Sequence, residues 1–192
     1  MLRGDKIALR ARHEADVAVL QAELYEDVAT RSRADSRPWR PIPPGSGSSP
    51  YAPAEPADEV AFFSVVQLAD DELAGEALLW GIDSHNRVGH LGLALRPAFR
   101  GRGLGGDAVR VLCHYGFAVR GLHRLQLETL TGNAAMIRAA TRAGFRLEGT
   151  LRSSTWVLGA FEDEAVFGLL AAEWPAGPPA DTSAQPGLRI RS

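Results

Sequence analysis

The sequence predicts a mixed α/β (α+β) domain, with a largely antiparallel central sheet flanked by helices. Three observations carry this expectation. Apolar runs between residues 61 and 95 alternate with short polar turns, the pattern of an antiparallel meander. Two segments, 104–120 and 134–143, repeat apolar residues at helical spacing. Proline is confined to the margins: seven of the twelve lie in 38–56, four in 175–186, and only Pro97 falls between 57 and 174. Because proline breaks helices and strand ladders alike, the long structured unit lies between those margins.

Residues 2–9 read as a leading strand. Residues 13–28 follow as an amphipathic helix, since Val17, Leu20, Leu24 and Val28 recur at helical spacing among acidic neighbours. Residues 30–57 combine proline, glycine and serine in a loop long enough to be either a functional lid or disordered. Strands are expected at 61–68, 73–82 and 88–95, separated by Asp70-Asp71-Glu72 and by Asp83-Ser84-His85-Asn86. Past Pro97 and a glycine cluster, Leu104, Ala108, Val111, Leu112, Tyr115 and Val119 form one stripe of a helix over 104–120. A strand over 123–130 and a helix over 134–143 come next, the helix stopped by Gly144. Residues 145–150 and 154–160 read as extended, 161–164 as a turn and 165–171 as the last strand. The domain is expected to span 1–174, with a disordered tail over 175–192.

Composition narrows the function classes. A chain of 192 residues with 45% hydrophobic and 23% charged residues is one ordinary globular domain. Its single cysteine excludes an internal disulfide, a zinc knuckle and a CxxC redox pair. No apolar run reaches the ~18 residues of a membrane span, and the N-terminus lacks the pattern of a secretory leader. A cytoplasmic protein without metal and without membrane contact is expected. The net charge of −2 argues against a nucleic-acid partner but hides an asymmetry. Residues 96–152 hold ten arginines against Asp107, Glu128 and Glu148, a balance of +7 that leaves −9 for the rest. Arginine abundance alone fits coding bias, since Lys6 is the only lysine; its clustering points to a local anionic partner.

Residues 93–106, Leu-Ala-Leu-Arg-Pro-Ala-Phe-Arg-Gly-Arg-Gly-Leu-Gly-Gly, carry the most chemistry. A strand runs into four glycines, and a helix follows. Unpaired N–H groups at such a helix start, with the positive end of its dipole, favour a phosphate. Two patterns compete for these residues. Gly101, Gly103 and Gly106 satisfy GxGxxG, with Glu128 beyond them where a dinucleotide fold places its ribose acid. That pattern belongs directly at the end of a first parallel strand, whereas here Pro97, Phe99 and two arginines intervene after antiparallel-looking strands. Arg100, Gly103 and Gly105 satisfy Arg/Gln-x-x-Gly-x-Gly/Ala, in a strand, turn, long helix, strand context that ends at Asn133 opening a second helix.

With the segments Asn133-Ala134-Ala135-Met136-Ile137-Arg138, Ala143-Gly144-Phe145-Arg146-Leu147-Glu148-Gly149-Thr150-Leu151-Arg152, Leu2 to Arg10 and Leu169 to Trp174, the sequence resembles the GNAT superfamily of acyl-CoA N-acyltransferases, nearest the Rim-type ribosomal-protein N-terminal acetyltransferases. The resemblance spans about 1–174 and implies a sheet with a splayed strand pair. It also implies acetyl-CoA as co-substrate. The backbone of Leu93, Ala94 and Leu95 would pair with the pantetheine arm. The amides of Arg100, Gly101, Arg102, Gly103, Leu104, Gly105 and Gly106 would hold the pyrophosphate. Asn133 would contact the cofactor or simply cap its helix, and Arg138 and Arg142 would reach the 3′-phosphate or form a solvated face.

The implied reaction is direct attack of a neutral amine on the thioester. An α-amine near ~7.7–8.0 or a lysine near ~10.4 must first lose a proton. Where many members carry a serine and an acidic tyrosine after the asparagine, this chain has Met136 and Ala140. His90 stands where the Rim-type branch often has glutamate and is a candidate base; Glu128 is the other, with Glu76 a weaker third. His90 is more readily read as a partly buried structural residue, and Glu128 as an ordinary strand-surface acid. Cys113 reads as inert, and Trp39 and Tyr51 as pocket lining or loop packing. The first 95 residues carry nine basic and fifteen acidic side chains, which suits a cationic amine: a peptide N-terminus or a small molecule. The resemblance also implies a homodimer. The rival functions are a non-catalytic acyl-CoA-binding module and, from the GxGxxG pattern, a dinucleotide-binding oxidoreductase.

Overall fold

The computed structural model describes residues 1–43 and 45–175. Beyond its first residue, the tail expected over 175–192 lies outside the described residues. Eight strands form one sheet in the order β1-β2-β3-β4-β5-β6-β8-β7. They are β1 (Leu2–Arg3), β2 (Ile7–Arg10), β3 (Ala61–Gln67), β4 (Leu73–Asp83), β5 (Val88–Leu95), β6 (Arg124–Leu130), β7 (Arg146–Val157) and β8 (Ala160–Leu170). Every neighbouring pair is antiparallel except β5 and β6. That pair is joined by α3 (Leu104–His114), since parallel neighbours need a crossover.

The two sheet faces carry different layers. Leu79, Leu91, Leu125, Leu127, Phe167 and Leu169 turn to one face, where α3 and α4 (Ala134–Ala143) cover them with Ala108, Val109, Leu112 and Ala140. α1 (Glu14–Leu20) lies over the other face, in a smaller cluster of Leu20, Leu24, Tyr25 and Tyr51 that reaches Leu73 and Ala94. Strand alternation follows from this: odd residues of β5 point to α3, even residues to the α1 side.

Several expectations change. The leading strand is two short strands around a tight turn, because Asp107 on α3 accepts hydrogen bonds from the amides of Asp5, Lys6 and Ile7 at 3.2, 2.7 and 3.1 Å. The helix expected over 13–28 is α1 followed by a π-helical turn, Gln21–Tyr25, and then a break. The first residues of the expected loop are helical instead: α2 (Val28–Ala34) starts at Asp27, whose carboxylate accepts from Ala29 N and Thr30 N. Part of the rest of that loop is tied to the α1 layer. Trp39 Nε1 donates to Tyr25 O at 3.0 Å, Tyr25 Oη donates to Arg40 O at 2.9 Å, and Tyr51 is buried. The 104–120 helix relaxes into a second π-helical turn, Tyr115–Val119, and Val119 faces solvent.

The last hairpin also differs. Residues 161–164, expected as a turn, lie inside β8, and the turn is Leu158-Gly159, both at positive φ. The acids do not break the strand because they find partners along it. Ser153 N donates to Asp163 at 2.8 Å, and Thr155 Oγ1 donates to Glu164 at 3.5 Å.

Candidate active site

β5 and β6 pair only from Val88 to His90, against Arg124 to Gln126. Beyond His90, β5 stays on β4 and β6 stays on β8, so the sheet opens into a V. The amides that face the opening follow from alternation. Arg124 N donates to Arg87 O, and Arg96 N donates to Ala74 O. Odd residues of β5 therefore present their peptide groups toward β6 and even ones toward β4. Leu93 and Leu95 offer backbone groups to the cleft, whereas Ala94 spends its own on Glu76 of β4. This refines the expected trio: Ala94 contributes its small side chain on the α1 face rather than its amide. The Leu95 carbonyl is already engaged by Arg100 Nε at 2.9 Å.

The glycine turn closes one wall of the V. Phe99 is buried, with the guanidinium groups of Arg96 and Arg102 at 5.1 and 5.3 Å from its ring, which anchors the turn. Gly103 is the N-cap of α3 in the left-handed region, φ +80, where a side chain is costly. No side chain caps the helix. Among the described residues, the N–H groups from Gly101 to Gly106 have no hydrogen-bond acceptor. A Cβ at Gly101 or Gly106 would meet open space, and one at Gly105 would rest on Leu93 and Leu95 at 3.6 and 3.7 Å. The loop is thus an uncapped helix start flanking the opened strand, a cradle for an anion. Leu104 turns its side chain into the core and leaves only its amide for such a role.

Sequence reasoning passed over Lys6 here, although its being the only lysine was a signal. Its Nζ donates to Arg102 O at 3.3 Å and lies 3.3 Å from where a Gly103 Cβ would stand. Lys6, Gly103, Gly106 and Arg142 line a cavity of 210 Å³ together with Asp5 and Asp107, whose carboxylates are paired with Arg110. Of the two expected phosphate arginines, Arg142 faces this cavity beside the glycine turn; Arg138 is exposed and among the described residues makes no ion pair. Asn133 caps α4: its Oδ1 accepts from Met136 N at 3.2 Å, and its Nδ2 donates to Thr129 Oγ1 at 3.0 Å.

On the opposite face, at the vertex of the V, the structure joins the two candidate bases. His90 Nδ1 lies 3.1 and 3.3 Å from the two oxygens of Glu128. Gln126 Nε2 donates to the same carboxylate at 2.5 Å. The Trp80 indole stacks on the imidazole, ring centres 4.4 Å apart. Burial works to raise the Glu128 pKa, but the His90 and Gln126 hydrogen bonds outweigh it and hold the carboxyl below its ordinary value. Glu164 sits above its ordinary value, first through burial and then through the charge of Glu128. Trp80 and Gln126 carried no sequence signal, because only the strand register brings them beside His90. Glu128, tied to His90 in this way, does not occupy a ribose-binding position.

Other candidates drop out. Glu76 is buried in an ion pair with Arg12 at 2.9 Å, and burial, which the Arg12 charge only partly offsets, raises its pKa. Cys113 is buried, and its thiol is pushed up to about 12 by desolvation, which removes its nucleophilic form. None of the three tyrosines replaces the missing acid at Ala140: Tyr25 and Tyr115 are hydrogen-bonded to Arg40 and Arg120, and Tyr51 is buried with burial raising its pKa. Among the described residues no cluster of three metal-ligating side chains occurs, and no helix is long and apolar enough to cross a membrane.

Residues 6–146 match the family model described as an acetyltransferase (GNAT) domain. The chain is 31% identical over 114 residues to Probable N-acetyltransferase YjcK of Bacillus subtilis, a stretch covering 59% of this chain and 63% of that one. The aligned stretch is therefore less than two thirds of that relative's length. Among solved structures, the spermidine N-acetyltransferase of Vibrio cholerae in complex with CoA and spermine superposes with a TM-score of 0.72 at 18% identity, covering 87% of this chain and 96% of that one. Mycobacterium smegmatis RimJ in complex with CoA-disulfide superposes with a TM-score of 0.69 at 19% identity, covering 88% and 84%.

Proposed function

The chain belongs to the GNAT acetyltransferase family, and from that premise we propose that it is a cytoplasmic enzyme that moves an acetyl group from acetyl-CoA to a primary amine. One observation carries the reading: an opened strand edge, an uncapped glycine-rich helix start and a His–carboxylate pair converge on a single V in the sheet.

The residues fit the co-substrate. The free amides of Gly103 to Gly106 suit a pyrophosphate, and Lys6 and Arg142 in the adjoining cavity add positive charge for a further phosphate. The backbone of Leu93 suits the amides of an extended arm lying along the strand. Acetyl-CoA, when bound, supplies an activated thioester. Leu93 and Leu95 N–H groups are placed to donate to the oxygen on which negative charge develops. His90 takes the proton of the incoming amine. A thiol near ~8.5 leaves tolerably well without a dedicated acid, which suits the absence of tyrosine at Ala140.

Acidic side chains line the acceptor side. Glu128 of β6 stands across from Val166 of β8, and Glu164 and Glu162 continue the same face. A cationic amine is therefore the acceptor class, a peptide N-terminus or a small polyamine; the Vibrio neighbour holding spermine supports the second. A homodimer belongs to the same proposal. β7 is the outermost strand, and Leu151, Trp156, Leu158 and Phe161 are exposed on its hairpin. A two-fold antiparallel pairing of this edge with that of a second copy would cover them.

The test is a panel of peptides, polyamines and aminoglycosides with acetyl-CoA, followed by release of free thiol. Turnover on an amine supports the reading. CoA binding with no turnover on any amine would favour the acyl-CoA-binding module instead.

A further inference from the structure

We propose that Glu128 is a positioning residue: it fixes the imidazole of His90 with the proton on Nδ1, so that Nε2 is the bare nitrogen that meets the acceptor amine. The inference rests on the reading of His90 as the base, and it assigns the second carboxyl-bearing candidate a role that sequence reasoning could not.

The geometry allows few alternatives. Nδ1 faces both Glu128 oxygens within hydrogen-bond distance, and a carboxylate only accepts. The carboxyl is kept ionised by the hydrogen bonds described above, so the shared proton belongs to the ring. Glu128 is itself immobilised, because Gln126 donates to Oε1 and Arg124 NH2 donates to Gln126 Oε1 at 3.1 Å. Trp80 restrains the ring from the β4 side, so the imidazole can neither flip nor swing out freely. Nε2 has no partner among the described residues and lies near the outer edge of Gly81, where a Cβ would stand 3.9 Å from it. At 23% and 21% side-chain exposure, His90 and Glu128 are shielded enough for the pair to be felt and open enough for an amine to arrive.

The charged groups facing the ring are few. Glu128 comes from β6, with Arg124 behind Gln126 on the same strand; Glu164 comes from β8 and acts through Glu128; β4 presents only the neutral Trp80. No covalent step falls to Glu128. The N–H bond of the protonated amine breaks and its electron pair stays on nitrogen, the proton going to Nε2; that pair then forms the C–N bond while the thioester C–S bond breaks and CoA leaves as the thiolate. The imidazolium so formed faces the Glu128 carboxylate, and that charge is what stabilises it.

Nitrogen-15 NMR of the imidazoles, with His90→Asn to assign the signal, tests the tautomer without reference to activity. In the wild-type protein at alkaline pH, where the imidazole is neutral, Nδ1 is expected to carry the proton. In Glu128→Ala the proton is expected to move to Nε2. Glu128→Gln keeps the shape without the charge, and its turnover is expected to fall below wild type because the imidazolium formed at His90 loses its counter-charge. In turnover, Glu128→Ala and His90→Ala are each expected to lose about 10²-fold in kcat with little change in KM, and the double variant to lose no more than the worse single. A proton on Nε2 in the wild-type protein, or a tautomer unmoved in Glu128→Ala, overturns the positioning role. Full turnover in His90→Ala with the tautomer as expected leaves that role standing and removes the base assignment instead.

Discussion

Replacing Gly103 by aspartate separates the anion cradle from the fold it sits on. Gly103 is the N-cap of α3 at φ +80, with only Lys6 Nζ near its would-be Cβ, at 3.3 Å. A non-glycine residue in the left-handed region costs roughly 1–2 kcal/mol. Aspartate at an uncapped helix start returns about 1 kcal/mol through capping. The flexible Lys6 ammonium moves aside or pairs with the new carboxylate. The net cost to folding is therefore about 1 kcal/mol or less, ~2–4 °C in Tm for a domain of this size. Ligand binding changes far more. A carboxylate about 5 Å from a pyrophosphate charge, at an effective dielectric near 20, is repelled by about 3 kcal/mol. That is ~10²-fold in Kd at 1.4 kcal/mol per decade. Calorimetry with CoA, beside a thermal melt, reads both quantities. Gly103→Ala is the control: it carries the backbone strain without the charge and should weaken CoA only a few-fold. An unchanged CoA affinity in Gly103→Asp would refute the placement of the pyrophosphate at this helix start.

Three further outcomes are expected. Asp107→Asn should destabilise the protein by about 3 kcal/mol in urea, since the buried carboxylate organises the turn from Asp5 to Ile7 and pairs with Arg110; a change under 1 kcal/mol would count against that role. Asp16 makes hydrogen bonds to Arg10, Ser64 and His13 that overcome the opposing effect of burial and hold its pKa far below the ordinary carboxyl value. Its contribution is therefore complete above the unfolded-state pKa and fades as pH falls through the folded one, so Asp16→Asn should differ from wild type by about 3 kcal/mol at pH 7 and by progressively less below about pH 4; a gap independent of pH would rule this out. Trp156→Glu should convert a dimer to a monomer in light scattering, with Tm and CoA binding of the monomer retained, and a wild-type monomer at all concentrations would end the edge-pairing idea.

The local chemistry of the chain was legible without coordinates. Pro97 followed by four glycines and an apolar stripe fixes a strand, a turn and a helix start, because backbone freedom and side-chain periodicity are properties of neighbouring residues. The same local reasoning finds Asn133 as a cap and Gly144 as a stop, and both hold these positions. It fails at 161–164, where Asp163 and Glu164 look like a turn but accept from Ser153 and Thr155 across a hairpin, and at 30–34, where Asp27 starts a helix that runs into a segment that reads as loop. It also passes over Lys6 at the helix start, Gln126 at the vertex and the burial of Glu76. His90 and Glu128 are 38 positions apart, and each by itself is an unremarkable strand residue. What joins them is the parallel register of Val88 to His90 on Arg124 to Gln126, and what opens the cleft beside them is the loss of that register one residue later. Sequence order settles which residues a segment offers; which of them meet across strands depends on register, and register is set by the packing of the whole sheet against its helices.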